Sequence, residues 1–195
     1  VDILTYFTLH LSGYPAHRVI GSGTVLDTAR LKQLMGEYLG VDSRNVHAFI
    51  VGEHGDSELA VWSGANISGI NLTDYFEVCD TCHDRKCLDE MFTQVRDAAY
   101  KIIDGKGATY YAIAQAVLRI TQSIVRDENS VLTVSTMLSG HYGIDGVCLG
   151  VPAVVGKDGV RQVLDISLSN EELQALRNSA QTLRHEIDMA LSTQA

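Results

Sequence analysis

The sequence predicts an α+β domain, and three observations carry that reading. An early stretch mixes helix-spaced apolar residues with a short β-branched run. A pair of amphipathic helix patterns broken by glycines follows. The last third holds three strand-like runs in tight succession and closes on a long apolar stripe of helical period. With 195 residues and 46 % hydrophobic side chains, the chain is long enough for one domain with a full core. A net charge of −9 without a basic cluster argues against nucleic acid and anionic membranes as partners. No apolar run approaches a membrane span, and the start lacks a basic signal-peptide region, so a cytoplasmic location is expected. Four cysteines, three of them crowded together, do not make a secreted disulfide framework.

The elements follow in order. Ile3, Leu4, Phe7 and Leu11 predict a helix over 2–12, stopped by Ser12-Gly13 and Pro15. Because the pattern starts at the first residues, the chain reads as a piece of a longer polypeptide. Arg18 to Gly21 reads as a short strand, and Gly21-Ser22-Gly23 as a turn. Thr24 to Leu39 reads as a helix with Thr24 as its N-cap. Val46 to Val51 reads as a strand, with Phe49-Ile50-Val51 buried, running into the turn Gly52-Glu53-His54-Gly55. Leu59 to Ile67, including Trp62, is expected to pack beyond the turn. Leu88 to Ile103 has helical spacing and is broken by Gly105 and Gly107. A second helix carries the stripe Tyr110, Ile113, Val117, Ile120 and Ile124. Val131 to Ser135, Gly146 to Val155 and Gly159 to Ile166 read as three strands, the last two joined by a tight hairpin at Lys157-Asp158-Gly159. Ser169 and Glu172 form a capping box for a closing helix with Leu173, Leu176, Ala180, Leu183, Ile187 and Leu191 on its core face.

Chemistry concentrates at His54. Glycines on both sides allow unusual backbone conformations or close ligand approach, and imidazole titrates near neutrality. Asp27 and Arg30, three residues apart, project from one face of their helix. They could simply favour the helix dipole and pair with each other on the surface. Alternatively, Asp27 orients His54 and stabilises its imidazolium, while Arg30 forks onto a substrate carboxylate. That second arrangement suits proton exchange with a 2-hydroxy or 2-oxo acid. A hydrolytic set of Ser57 or Ser22 with His54 and an aspartate is disfavoured, because no nucleophile elbow is present. Cys79, Cys82, His83 and Cys87 leave three readings. They could form a surface turn, a four-ligand zinc set, or, through Cys79-x-x-Cys82-His83, a haem attachment. The surface turn is expected, with no metal bound.

Residues 21–30, Gly-Ser-Gly-Thr-Val-Leu-Asp-Thr-Ala-Arg, and residues 52–57, Gly-Glu-His-Gly-Asp-Ser, resemble two motifs of the L-lactate dehydrogenase family in sequence, order and spacing. The similarity extends over essentially the whole chain. It implies His54 as proton donor and acceptor, Asp27 as its partner and a substrate contact, and Arg30 as the carboxylate clamp. It also implies Thr109 in the substrate pocket, and Ser22, Leu26 and Ile113 beside an NAD cofactor. Residues 1–22 would be the tail of a dinucleotide-binding domain, and 23–195 the substrate domain. The chain departs from the family by lacking the G-x-G-x-x-G fingerprint, the mobile loop with its polarising arginine, and the asparagine expected before Val1. Pyruvate and lactate are the implied substrates, and the complete enzyme is expected to be a homotetramer. Malate dehydrogenases share both motifs; Glu53 and Thr109 lean toward the lactate enzymes. Many bacterial members answer to fructose 1,6-bisphosphate at an arginine and a histidine, positions held here by Lys32 and His47. A reading of another class, a non-catalytic assembly or metal-binding domain, requires the cysteines to bind metal and His54 to be dispensable.

Overall fold

The structure, a computed structural model, describes residues 1–78 and 85–192. Helix α1 (Asp2–Ser12) ends at Gly13, whose φ of 70° closes the helix in the left-handed region. The expected strand at Arg18–Gly21 is not there. A 3-10 turn, Ala16–Arg18, occupies its beginning, and only Gly21 pairs with a strand, through a single bridge to Ser135. Pro15 fixes the extended entry to that turn, leaving too few residues to lay down a ladder.

Helix α2 (Val25–Leu39) has Thr24 at its N-cap, but the threonine does not cap. Its hydroxyl donates instead to the carbonyl of Ile50 at 2.7 Å. Thr28 takes the N–H of the same residue at 3.0 Å. The single strand expected over 46–51 is divided into β1 (Val46–His47) and β2 (Ile50–Val51), which pair with different partners. Strand β2 pairs with β3 (Leu59–Ala60). Strand β1 pairs with β4 (Asn66–Ile67), which turns back onto β5 (Ile70–Asn71).

Helix α3 (Leu72–Val78) precedes α4 (Arg85–Arg96) and α5 (Ala98–Lys106). The one helix expected over 88–103 is thus two, parted at Asp97. Gly105 is accommodated inside α5, and Gly107, with φ 79°, ends it. Helix α6 (Tyr111–Val125) buries Ala116, Ile120 and Ser123. Its expected stripe is corrected at Tyr110 and Val117, which are exposed. The buried face is therefore rotated toward the small residues that let the helix approach the sheet.

The closing half matches the expectation closely. Strands β6 (Ser130–Ser139), β7 (Asp145–Gly156) and β8 (Gly159–Val163) form an antiparallel meander. Gly156 faces Gly159 across the two-residue turn. Helix α7 (Asn170–Ser192) opens on the capping box: the Glu172 N–H donates to Ser169 Oγ at 3.1 Å, and the Ser169 N–H donates to Glu172 Oε2 at 2.8 Å. Leu176, Ala180, Leu183 and Ile187 are buried, whereas Leu191 near the helix end is exposed.

Three apolar clusters meet around α2 and the segment 46–51. One joins Leu31 and Met35 to Val46, Ile50 and Val95. A second sets Val51, Leu149 and Val151 against α7. The third packs Val25 with Ile120, Val134 and Val155. Each such fully buried aliphatic side chain contributes about 1.5–3 kcal/mol. The end of β2 and the start of α2 are thus fixed on several sides. Among the described residues no helix is long and apolar enough to cross a membrane.

Candidate active site

The turn after β2 is held by its backbone before any side chain acts. Gly52, at φ 103°, exchanges two hydrogen bonds with Gly150 of β7, at 2.9 and 3.1 Å. The Glu53 N–H donates to Ser179 Oγ of α7 at 2.8 Å. The His54 N–H donates to Asp2 Oδ2 of α1 at 2.9 Å. Three separate elements therefore fix the histidine at its own peptide or the two before it. The adjoining turn 21–23 is equally constrained. Gly23 has φ 49°, and a Cβ there would lie 2.5 Å from the Ser135 nitrogen and 2.6 Å from the Thr133 carbonyl oxygen. Only glycine fits so close to a strand backbone.

Onto this frame α2 presents Asp27. Its Oδ2 lies 2.7 Å from His54 Nδ1, and the aspartate is almost wholly buried. Arg30, one turn further along, is 3.8 Å from Asp27 Oδ1. Asp27 is thus no surface partner of Arg30 alone: its shorter contact is with the imidazole. The hydrogen bond to Asp27 raises the proton affinity of His54 above that of an ordinary histidine, while burial works in the opposite sense. With Nδ1 directed to the carboxylate, Nε2 remains for proton exchange.

His54 opens on a cleft of about 600 Å³. Ser22, Leu26, Arg30, Thr109 and Ile113 line the same cleft, so all the expected substrate and cofactor contacts but buried Asp27 share one wall system. Val1 and Ile102 add apolar surface, and Lys101 and Lys106 add positive charge. Lys106 is stacked over the rings of Tyr110 and Tyr111, at 4.3 and 4.8 Å from their centres. Leu26 and Ile113 add further apolar surface to the cleft. Lys32 and His47 line a second pocket, of about 320 Å³, together with Arg44 and Arg119.

Ser57 is not poised as a nucleophile: its hydroxyl donates to Glu53 and lies 3.0 Å from Ser179 Oγ. Of the cysteine set, Cys79, Cys82 and His83 lie outside the described residues. Cys87 sits on α4, where its sulfur accepts a hydrogen bond from the Tyr38 hydroxyl at 3.3 Å.

Three residues at the site could not be recognised from the sequence pattern alone. Asp2 reads as a helix-start acid favouring the dipole, and nothing in one dimension connects it to His54. Ser179 lies on the far helix. Glu58 precedes an apolar run and is buried beside the pair, with its carboxyl pushed up to about 8 by burial and then by the charge of Asp27. An acid flanking an apolar run is the one signal that could have found it.

A family described as the lactate/malate dehydrogenase alpha/beta C-terminal domain matches residues 24–194. An L-lactate dehydrogenase of Acetivibrio thermocellus is 54 % identical over 187 residues, covering 96 % of this chain and 59 % of that protein. One from Clostridium perfringens strain 13 is 53 % identical over 188 residues, with the same coverage. Among solved structures, a lactate dehydrogenase from a Medee basin deep-sea metagenome library superposes with a TM-score of 0.94 at 46 % identity, covering 96 % of this chain and 60 % of that one. The minor L-lactate dehydrogenase of Enterococcus mundtii in its ligand-bound form gives 0.92 at 42 % identity, covering 97 % and 60 %. The chain spans about 60 % of the length of these relatives.

Proposed function

Because the chain belongs to the lactate/malate dehydrogenase family, we propose that it is the substrate-binding part of an L-lactate dehydrogenase that interconverts pyruvate and (S)-lactate. The observation that carries this reading is the 2.7 Å Asp27–His54 pair, set at a cleft that Arg30 also lines. Residues 1–22 belong, in this reading, to the tail of a dinucleotide-binding domain, and 23–195 to the substrate domain. Support for that division is the family match beginning at residue 24.

Arg30 receives the substrate carboxylate and so fixes which carbon faces His54. Asp27 holds the imidazole in one orientation and stabilises its charged form. In the reducing direction, His54 gives the Nε2 proton to the 2-oxo oxygen as the hydroxyl forms. In the oxidising direction, it takes that proton back. NAD(H), when bound, supplies or accepts the hydride; Ser22, Leu26 and Ile113 are the residues of this chain that would meet its nicotinamide end. Thr109 closes the pocket near the substrate methyl. Glu53 and the L-lactate dehydrogenase relatives favour lactate over malate as the product.

The second pocket supports a finer reading. Lys32 and His47 form an anion site for fructose 1,6-bisphosphate in a homotetramer. Arg44 is engaged by Asp42 and Arg119 by Glu128, so Lys32 and His47 are the basic side chains of that pocket outside the ion pairs found among the described residues.

The test of the main reading is His54→Asn in the enzyme joined to its nucleotide-binding half. Pyruvate-dependent oxidation of NADH should fall by about 10²–10⁴, the range for removing a general acid–base. The circular dichroism spectrum should stay the same. Turnover near that of the unaltered enzyme would sink the assignment.

A further inference from the structure

Behind the Asp27–His54 pair stands a group that the reaction above does not use. Glu58 follows the His54 turn and leads into β3. It is only 6 % exposed, and its Oε1 has no hydrogen-bond partner among the described residues. One carboxylate oxygen of Glu58, one of Asp27 and a ring nitrogen of His54 all lie within 4.8 Å of one another. A buried carboxylate anion without a partner is costly, so this group resists ionising where it stands. The charged groups facing it come from three elements: Asp27 and Arg30 from α2, His54 from the turn, and Arg96 from α4. Asp2 of α1 adds its field at His54. The arginines and a charged imidazole favour ionisation of Glu58; burial and Asp27 oppose it and prevail.

We propose that Glu58 is a positioning residue for the His54 proton: a carboxyl group sealed behind the Asp27–His54 pair, whose ionisation governs how firmly the imidazole keeps that proton. The proposal rests on reading His54 as the proton donor and acceptor. While Glu58 is neutral, Asp27 alone balances the imidazolium. Once Glu58 ionises, a second negative charge stands within 4.8 Å, and His54 holds its proton more tightly. The carboxyl is pushed up to about 8, so the change falls on the alkaline side of neutrality. Reduction of a 2-oxo acid needs protonated His54. Glu58 therefore extends that direction to higher pH, at the cost of slower oxidation there.

Two titrations by NMR test this on the 195-residue chain, labelled at glutamate carboxyl carbons and histidine rings. His54 is assigned by the loss of its signals in His54→Asn. In the unaltered chain the Glu58 carboxyl should titrate near pH 8, and His54 should show two inflections, as coupled sites do. In Glu58→Gln the His54 curve should reduce to one inflection, at lower pH, and Glu58→Asp should restore the second. A His54 curve unchanged in Glu58→Gln overturns the proposal. So does a Glu58 carboxyl that titrates in the ordinary carboxylate range, a measurement that needs no variant to fold. In the assembled enzyme, Glu58→Gln should lose about threefold more pyruvate reduction at pH 9 than at pH 6, the equivalent of half a pH unit. Equal loss at both values marks a merely structural residue and overturns the proposal as well. The two NMR arms stand whether or not the assembled protein turns over, so failure of the dehydrogenase reading is seen separately.

Discussion

His54 and Glu58 both hold protons more tightly in the folded chain than an unfolded chain would, and the sign of the consequence is the same for each. For His54, the pairing with Asp27 adds stability that is complete below the unfolded histidine value, about 6.5. That stability is lost as pH rises through the raised folded value. For Glu58, the unfolded carboxyl ionises near 4.5 while the folded one keeps its proton to about 8. Between those values the unfolded chain alone releases a proton, so folding weakens as pH rises, by up to about 5 kcal/mol for such a gap. The urea midpoint of the unaltered chain should therefore fall from pH 5 to pH 9. Glu58→Gln removes the titrating group while keeping its shape, and its midpoint should fall less steeply. The variant should be the more stable of the two at pH 8. Parallel curves for the two proteins would show that Glu58 is not neutral in the folded state. A residue that weakens the fold at working pH yet sits against the proton-transfer pair is what a site under functional constraint looks like.

At the scale of elements, the turn 21–23 makes the sharpest demand on sequence. Gly21 and Ser135 exchange backbone hydrogen bonds at 2.9 and 3.0 Å, and the Thr24 N–H donates to the Thr133 carbonyl at 3.0 Å. This stitch sets where α2 begins, and hence where Asp27 points. Gly23→Ala would force a Cβ against the β6 backbone and strain a positive φ. It should cost about 2 kcal/mol or more, and it should raise KM and lower kcat together, because α2 must shift. A thermal midpoint unchanged by the substitution would mean that the stitch does not set α2. The long elements were legible because their patterns run long: the α7 stripe as far as Ile187, the meander and the capping box stand where the pattern puts them. The short ones were not. Thr24 satisfies every rule for an N-cap, yet the carbonyl of Ile50 competes for its hydroxyl, and no local rule sees a partner 26 residues away. Asp27, Arg30 and His54 were legible through their residue types and glycine setting. Asp2, Glu58 and Ser179 act through contacts made only once α1, β3 and α7 have packed.

At the scale of the whole molecule, the His54 cleft and the second pocket are both built on α2. The cleft is walled by α2, the His54 turn, α5 and the start of α6. The second pocket lies on the opposite flank of α2, so one helix carries both Arg30, the proposed carboxylate clamp, and Lys32, the proposed anion residue. Successive residues of a helix project about 100° apart, so positions 30 and 32 face away from each other. An anion bound at Lys32 would therefore not touch Arg30, and would reach it through the body of α2. Lys32 is half-buried, and desolvation lowers its proton affinity, a cost that a bound phosphate would relieve. Lysine keeps the charge but lacks the planar fork of arginine, so the response to a bisphosphate should be weaker than at an arginine site. With two phosphates and a site repeated across a two-fold axis, each molecule of ligand would hold two copies of α2 in register. The expected outcome is a pyruvate saturation curve that moves to lower concentration when fructose 1,6-bisphosphate is added to the assembled enzyme. Lys32→Ala and His47→Ala should each abolish that movement and leave turnover at saturating pyruvate nearly unchanged, since neither residue lines the reaction cleft. A curve that ignores the bisphosphate, or one that moves as far in both alanine variants, removes Lys32 and His47 from the regulatory role and returns them to the solvated surface of α2 and β1.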